Sequence, residues 1–176
     1  MTNAELAILS LVCESPHYGY EIEQIIEQRG MRDWTEIGFS SIYYLLKKLE
    51  AKGFITSRLE EKSGPGPARK IYAITPEGKN NWREAILTAL SQPQQLYPLI
   101  QIGMAGIPGL SKEETKQALI NYCQNLKQRE QYVRSRMESQ MPLPYHVEWM
   151  FRHSLTMIKS EIKFIHQMID ELENLA

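Results

Sequence analysis

The sequence predicts a mainly α-helical protein with one small β-hairpin, and three features predict it. Apolar residues recur at helical spacing over most of the chain. Two strand-like runs flank a Gly/Pro-rich turn in the first half, and two long helical stretches separated by a proline break fill the last third. Of the 176 residues, 43% are hydrophobic, enough for one core or for a small domain with a helical extension.

The first helix runs from Thr2 to Glu14, with Leu6, Ile8, Leu9, Leu11 and Val12 at helical spacing and Asn3 as the expected cap. Ser15-Pro16 stops it, because the residue before proline disfavours the α region. A second helix spans Tyr18 to about Arg29, closed by Gly30 in a left-handed conformation. After a polar connection over Met31 to Gly38, a third helix covers Phe39 to Lys52 with Ile42, Leu45, Leu46 and Leu49 inside. The pattern then changes: 54–59 and 70–75 are strand-like runs on either side of Ser63-Gly64-Pro65-Gly66-Pro67.

Pro76 at the first helical position and Glu77 in the first turn start a helix to about Leu90. The stretch from Ser91 to Gly109 is broken by prolines and glycines and reads as a connector with one short helix. Ser111 and Glu114 form a capping box for a long helix to about Gln140. Met141-Pro142-Leu143-Pro144 interrupts, and a last helix runs from Tyr145 to about Glu173. Its apolar stripe is Val147, Phe151, Leu155, Ile158, Ile162, Ile165, Ile169 and Leu172. The expected organisation is a winged helix-turn-helix over 1–90, a connector over 91–110 and a helical dimerisation domain over 111–176.

Three helices followed by a hairpin make a winged helix, whose third helix suits a major groove about 12 Å wide. The N-terminal turn of that helix offers Phe39, Ser40 and Ser41, and Tyr43, Tyr44, Lys47 and Lys48 lie on the sides facing away from the apolar stripe, so hydroxyls are offered to bases or phosphates and cations to phosphates. The wing supplies Lys62, Arg69 and Lys70. Over residues 1–75, however, nine Lys and Arg stand against ten Asp and Glu, and the whole chain is -1. One near-neutral copy would bind duplex DNA weakly, so two copies on a palindrome are expected. The two long helices joined by the proline break should pack as an antiparallel hairpin that covers one stripe on each, yet Phe151, Leu155, Ile158, Ile162, Ile165, Ile169 and Leu172, flanked by Met150, Met157, Phe164 and Met168, leave more apolar surface than a monomer tolerates in water. A symmetric dimer with the last helices at the two-fold is expected, the alternative being packing within the chain against the first domain.

The stretches from Ser15 to Ile22, Ser41 to Glu50 and Gly53-Phe54-Ile55, together with Pro67 to Gly78, resemble the PadR family of bacterial regulators. That resemblance covers roughly the first 80 residues; the C-terminal part, with Trp149 to His153, is similar in layout to members with a longer helical domain. It implies a dimeric repressor, sometimes an activator, responsive to small phenolic or flat aromatic compounds. It also adds Tyr18 to the DNA-binding set. Many members carry Pro at the position of Tyr44, Gly and Pro at Ser40 and Phe39, and His at Tyr18, so no operator sequence carries over.

Other chemistries find less support. No nucleophile, base or metal constellation has a known spacing, and no cofactor is expected. Of His17, His146, His153 and His166, only His146 and His153 share a helix face, with no carboxylate or Cys at ligand spacing there. Cys13 and Cys123 read as buried thiols rather than a disulfide. No apolar run reaches the roughly 20 residues of a membrane span, no signal peptide is legible, and the cytoplasm is the expected compartment. Tyr97, Tyr145, Trp149, Phe151 and Trp34, with Arg152 or His153 as polar partners, either line an effector pocket or pack the domain junction or the dimer. The alternative to a DNA-binding regulator is an adaptor using the winged helix and coil to bind protein, for which a basic wing would serve no purpose.

Overall fold

A computed structural model describes residues 1–38, 41–60 and 69–174. Its elements are α1 (Asn3–Glu14), β1 (His17–Tyr18), α2 (Gly19–Gln28), a 3-10 turn (Met31–Asp33), α3 (Ile42–Ala51), β2 (Ile55–Glu60), β3 (Arg69–Ile74), α4 (Pro76–Ser91), α5 (Leu99–Gly106), a second 3-10 turn (Ile107–Gly109), α6 (Lys112–Ser139) and α7 (Tyr145–Asn174). They form two compact units, Met1–Gln95 and Leu96–Ala176.

In the first unit, α1, α2 and α3 close around Ile8, Leu9, Leu11, Ile22, Ile26, Ile42, Leu46 and Leu49, with Ile55 and Tyr72 added from the sheet. The cap of α1 is Thr2, not Asn3: its hydroxyl accepts the Glu5 amide while Glu5 accepts the Thr2 amide, and Asn3 is already helical. Gly30 and Gly53 adopt positive φ, 60° and 74°, and each follows directly on a helical segment. The connection after α2 is less polar than its sequence suggests, since Met31 and Ile37 are buried in the core. Cys13, expected inside, is only half-buried, while Cys123 is buried.

The sheet is antiparallel in the order β1-β3-β2. β2 and β3 pair from Ile55 with Ile74 to Glu60 with Arg69. The strand β1 corrects the expectation that Tyr18 opens a helix. His17 and Tyr18 pair with Tyr72 and Ile71, because Pro16 delivers an extended chain to the open edge of β3. Thr75 caps α4, its hydroxyl accepting the Gly78 amide at 3.0 Å and donating to the Gly53 carbonyl at 2.6 Å. Gly78 lies against the Phe54 backbone so closely that a Cβ there would meet the carbonyl oxygen at 1.9 Å. The Trp82 indole on α4 donates to Ser10 on α1 at 3.0 Å, joining α4 to the same core.

In the second unit α6 and α7 pack side by side as an antiparallel hairpin around Leu119, Cys123 and Ile165, with Ile100, Leu126, Ile162 and Ile169 against them. Polar pairs fix the register: Tyr122 donates to Glu161 at 2.6 Å and Lys116 pairs with Glu173 at 2.6 Å. Burial first, then the Glu161 carboxylate, pushes the Tyr122 phenol up to about 12.

Candidate nucleic-acid interface

The buried side of α3 leaves an outer side of Tyr43 and Tyr44, 57% and 65% exposed, with Lys47 exposed one turn on. Gly19, at the start of α2, lets Tyr43 lie close: a Cβ there would fall 2.6 Å from its ring. Ser41 is half-buried, and its hydroxyl donates to the Gly38 carbonyl at 2.7 Å. The candidates Phe39, Ser40 and Lys62 lie outside the described residues.

The lysines of α3 are not equivalent. Lys48 reaches back to Glu5 on α1 at 2.8 Å, and Lys52 binds the same carboxylate at 3.0 and 3.1 Å. Glu5 is 1% exposed. Burial alone would raise its pKa; the hydrogen bonds from Lys48, the Thr2 amide and Lys52, with the Lys52 charge, outweigh it and hold the group at about 2. Lys48 is therefore engaged within the protein, whereas Lys47 has no acidic partner among the described residues.

The wing repeats the contrast. Lys70 pairs with Glu50 of α3 at 3.0 Å and lies over the Tyr72 ring. Glu50 also accepts the Ser57 hydroxyl, and this bond, then Lys70, lowers its pKa. Arg69 has no carboxylate partner among the described residues; its guanidinium sits 5.0 Å from the Tyr20 ring centre and donates to the Tyr20 hydroxyl at 3.0 Å. Tyr20 stacks on Tyr18, whose hydroxyl donates to Glu60 at 2.5 Å. The structure thus gathers Tyr18, Tyr20, Glu60 and Arg69 into one cluster at the junction of α2 and the sheet.

Sequence reasoning missed Glu5, Tyr20 and Glu50. Glu5 was detectable, since it stands at helical spacing with Ile8, Leu9 and Val12 on a stripe that is otherwise apolar. Nothing local distinguishes Glu50 from a solvated acid.

The α7 stripe needs correcting. Ile158 and Ile165, expected at the two-fold, are buried within the chain, and Ile162 and Ile169 pack on the Leu119–Cys123–Ile165 cluster. Phe151, Leu155 and Leu172 are half-buried. Helical period alone does not say which helix covers a stripe; here α6 is the nearest apolar neighbour. The face left in solvent carries Met150, Met157 and Phe164, seven residues apart and 42%, 53% and 48% exposed.

Among the effector candidates, Tyr145 and Trp149 meet edge to face, 5.1 Å between ring centres, with Arg152 one turn on and paired to Glu148 at 3.8 Å. These side chains, His153 and Tyr97 are all exposed. Tyr97 makes no ring contact with the pair among the described residues. The described residues hold no group of three or more potential metal ligands, and no described helix is long and apolar enough to cross a membrane.

The chain matches no curated protein sequence. Its fold is similar to Bacillus subtilis PadR in complex with operator DNA, with a TM-score of 0.78, 21% identity, and coverage of 96% of this chain and 98% of that one. It is equally similar to Bacillus subtilis PadR in complex with p-coumaric acid, at TM-score 0.79, 20% identity and coverage of 96% and 98%. The PadR-like regulator BC1756 from Bacillus cereus follows at TM-score 0.69 and 17% identity, covering 97% of this chain and 98% of that one. Residues 8–84, which hold α2, α3 and the wing, match the Transcriptional regulator PadR-like family, a family of regulators rather than enzymes. That match spans 77 of the 176 residues, and over them the chain is similar to the PadR-like family of transcriptional regulators.

Proposed function

We propose that the chain works in the cytoplasm as a homodimeric repressor that reads a palindromic operator, with α3 in the major groove and the wing along the backbone. The observation that carries this reading is the outer side of α3, where Tyr43, Tyr44 and Lys47 are exposed over a packed core and Lys47 has no acidic partner among the described residues. Likeness of fold to Bacillus subtilis PadR in complex with operator DNA supports it. In this reading Tyr43, Tyr44 and Ser41 face base edges, and Lys47 and Arg69 take phosphates. Residues 1–90 bind DNA and 111–176 pair two copies, through the Met150–Met157–Phe164 face rather than the stripe under α6.

The domain's near-neutral charge makes two copies necessary for useful affinity. Selection of bound duplexes from a random pool tests the whole reading. Two inverted half-sites about one helical turn apart are expected; unenriched sequence, or a single asymmetric site, would refute it.

The same proposal includes a small aromatic effector near Tyr145, Trp149, Arg152 and His153. Likeness to Bacillus subtilis PadR in complex with p-coumaric acid and the open Tyr145–Trp149 pair support it. Titration with p-coumaric acid should quench tryptophan fluorescence in the wild type and not in Trp149→Phe.

A further inference from the structure

Glu50 occupies an unusual place. It lies near the C-terminal end of α3 and touches both strands of the wing, accepting the Ser57 hydroxyl of β2 and the Lys70 ammonium of β3 at 3.0 Å. Ser57 and Lys70 are on the same face of the sheet, because Ser57 registers with Tyr72 and Leu59 with Lys70. One carboxylate therefore ties the proposed reading helix to the hairpin beside it and holds one of the wing's cations at the same time.

We propose that Glu50 is a specificity-determining residue of DNA binding: it withholds Lys70 from the phosphate backbone and holds the wing against α3. This rests on the DNA-binding reading above. Phosphate contacts add affinity for every sequence alike, while base contacts separate one sequence from another. A cation engaged by an internal carboxylate contributes little to the first kind of binding and nothing to the second. Glu50 thereby lowers the background against which Tyr43, Tyr44 and Ser41 discriminate. Lys70 supports the assignment, since its ammonium is already satisfied by Glu50 and the Tyr72 ring. Arg69, next to it, has an aromatic platform and no carboxylate partner among the described residues, so the two neighbouring wing cations have different tasks.

The test is binding of the full chain to a random-sequence duplex across a salt series, beside binding to a duplex selected by the wild type. Glu50→Gln keeps an acceptor for Ser57 and releases Lys70. It should tighten random-duplex binding and steepen the log–log salt slope by about 0.9 per protomer, roughly threefold in affinity between 50 and 200 mM salt. The ratio of selected to random affinity should fall. Adding Lys70→Met to Glu50→Gln should abolish that gain, and Ser57→Ala, which leaves every charge in place, should keep the wild-type slope. The proposal is overturned if Glu50→Gln leaves random-duplex affinity and slope unchanged or lower, or if the gain survives Lys70→Met. A wild type that binds no duplex even at low salt defeats the DNA-binding reading itself, and this proposal with it.

Discussion

The substitution Glu5→Gln isolates the charge cluster beneath α3. The Glu5 carboxylate is 1% exposed and accepts from Lys48, Lys52 and the Thr2 amide. Its pKa falls from 4.5 to about 2. At 1.36 kcal/mol per unit, that difference links to about 3 kcal/mol of folding stability at neutral pH, a large share of a small unit's total. The figure agrees with the roughly 3–5 kcal/mol lost when one partner of a buried pair is removed. Between the two pKa values the unfolded carboxylate holds a proton that the folded one does not, so acid favours unfolding. The contribution is complete above about pH 5, declines as pH falls through the window and is gone below about 2. Urea unfolding followed by circular dichroism at pH 7, 5, 4 and 3 should show wild type and Glu5→Gln converging with acid, at unchanged m value. Carboxylates such as Glu50, Glu114 and Glu173, also depressed, are common to both proteins and cancel in the difference. A gap that stays constant from pH 7 to pH 3, or one below about 0.5 kcal/mol at pH 7, would refute the cluster's role.

Gly78→Ala should cost at least about 2–3 kcal/mol, because its Cβ would strike the Phe54 carbonyl oxygen at 1.9 Å; thermal unfolding reads this as a lowered midpoint. Lys47→Ala should reduce the salt slope of DNA binding by about 0.9 per protomer. Lys48→Ala should change that slope less and instead destabilise the fold, since Glu5 would keep Lys52 alone. Ile165→Ala should destabilise the α6–α7 hairpin by about 2–5 kcal/mol, measured by denaturant unfolding. Met157→Glu, on the exposed side of α7, should leave stability nearly unchanged and weaken self-association at least tenfold by sedimentation, about 1.4 kcal/mol.

Most helices were legible because their apolar residues repeat and their ends carry recognisable chemistry. Ser111 with Glu114, and Pro76 after Thr75, mark starts that follow from local bonds alone. The wing was legible from residue type, as two runs rich in β-branched and aromatic residues around a Gly/Pro turn. β1 escaped because two residues are too few to show a period, and their pairing depends on the edge of a strand more than fifty positions away. The candidate interface was legible as a surface but not as a charge distribution. Lys47 and Lys48 are adjacent and chemically alike, yet only the folded chain brings Glu5 to one of them. The α7 stripe shows the complementary limit: the proline break announced a hairpin with α6 and periodicity revealed an apolar face, but neither said that α6 would be the partner covering that same face.

That partner has a consequence for how the protein responds to its own abundance. With α6 already covering Ile158 and Ile165, the C-terminal helices acquire a core before any second copy arrives. Folding and pairing are then separate equilibria. Under the proposed pairing, dilute copies are folded but single, and the population of pairs grows with the square of their concentration. A modest rise in synthesis would thereby produce a steeper rise in operator occupancy, giving the regulator a threshold that an obligate, interlocked dimer would lack.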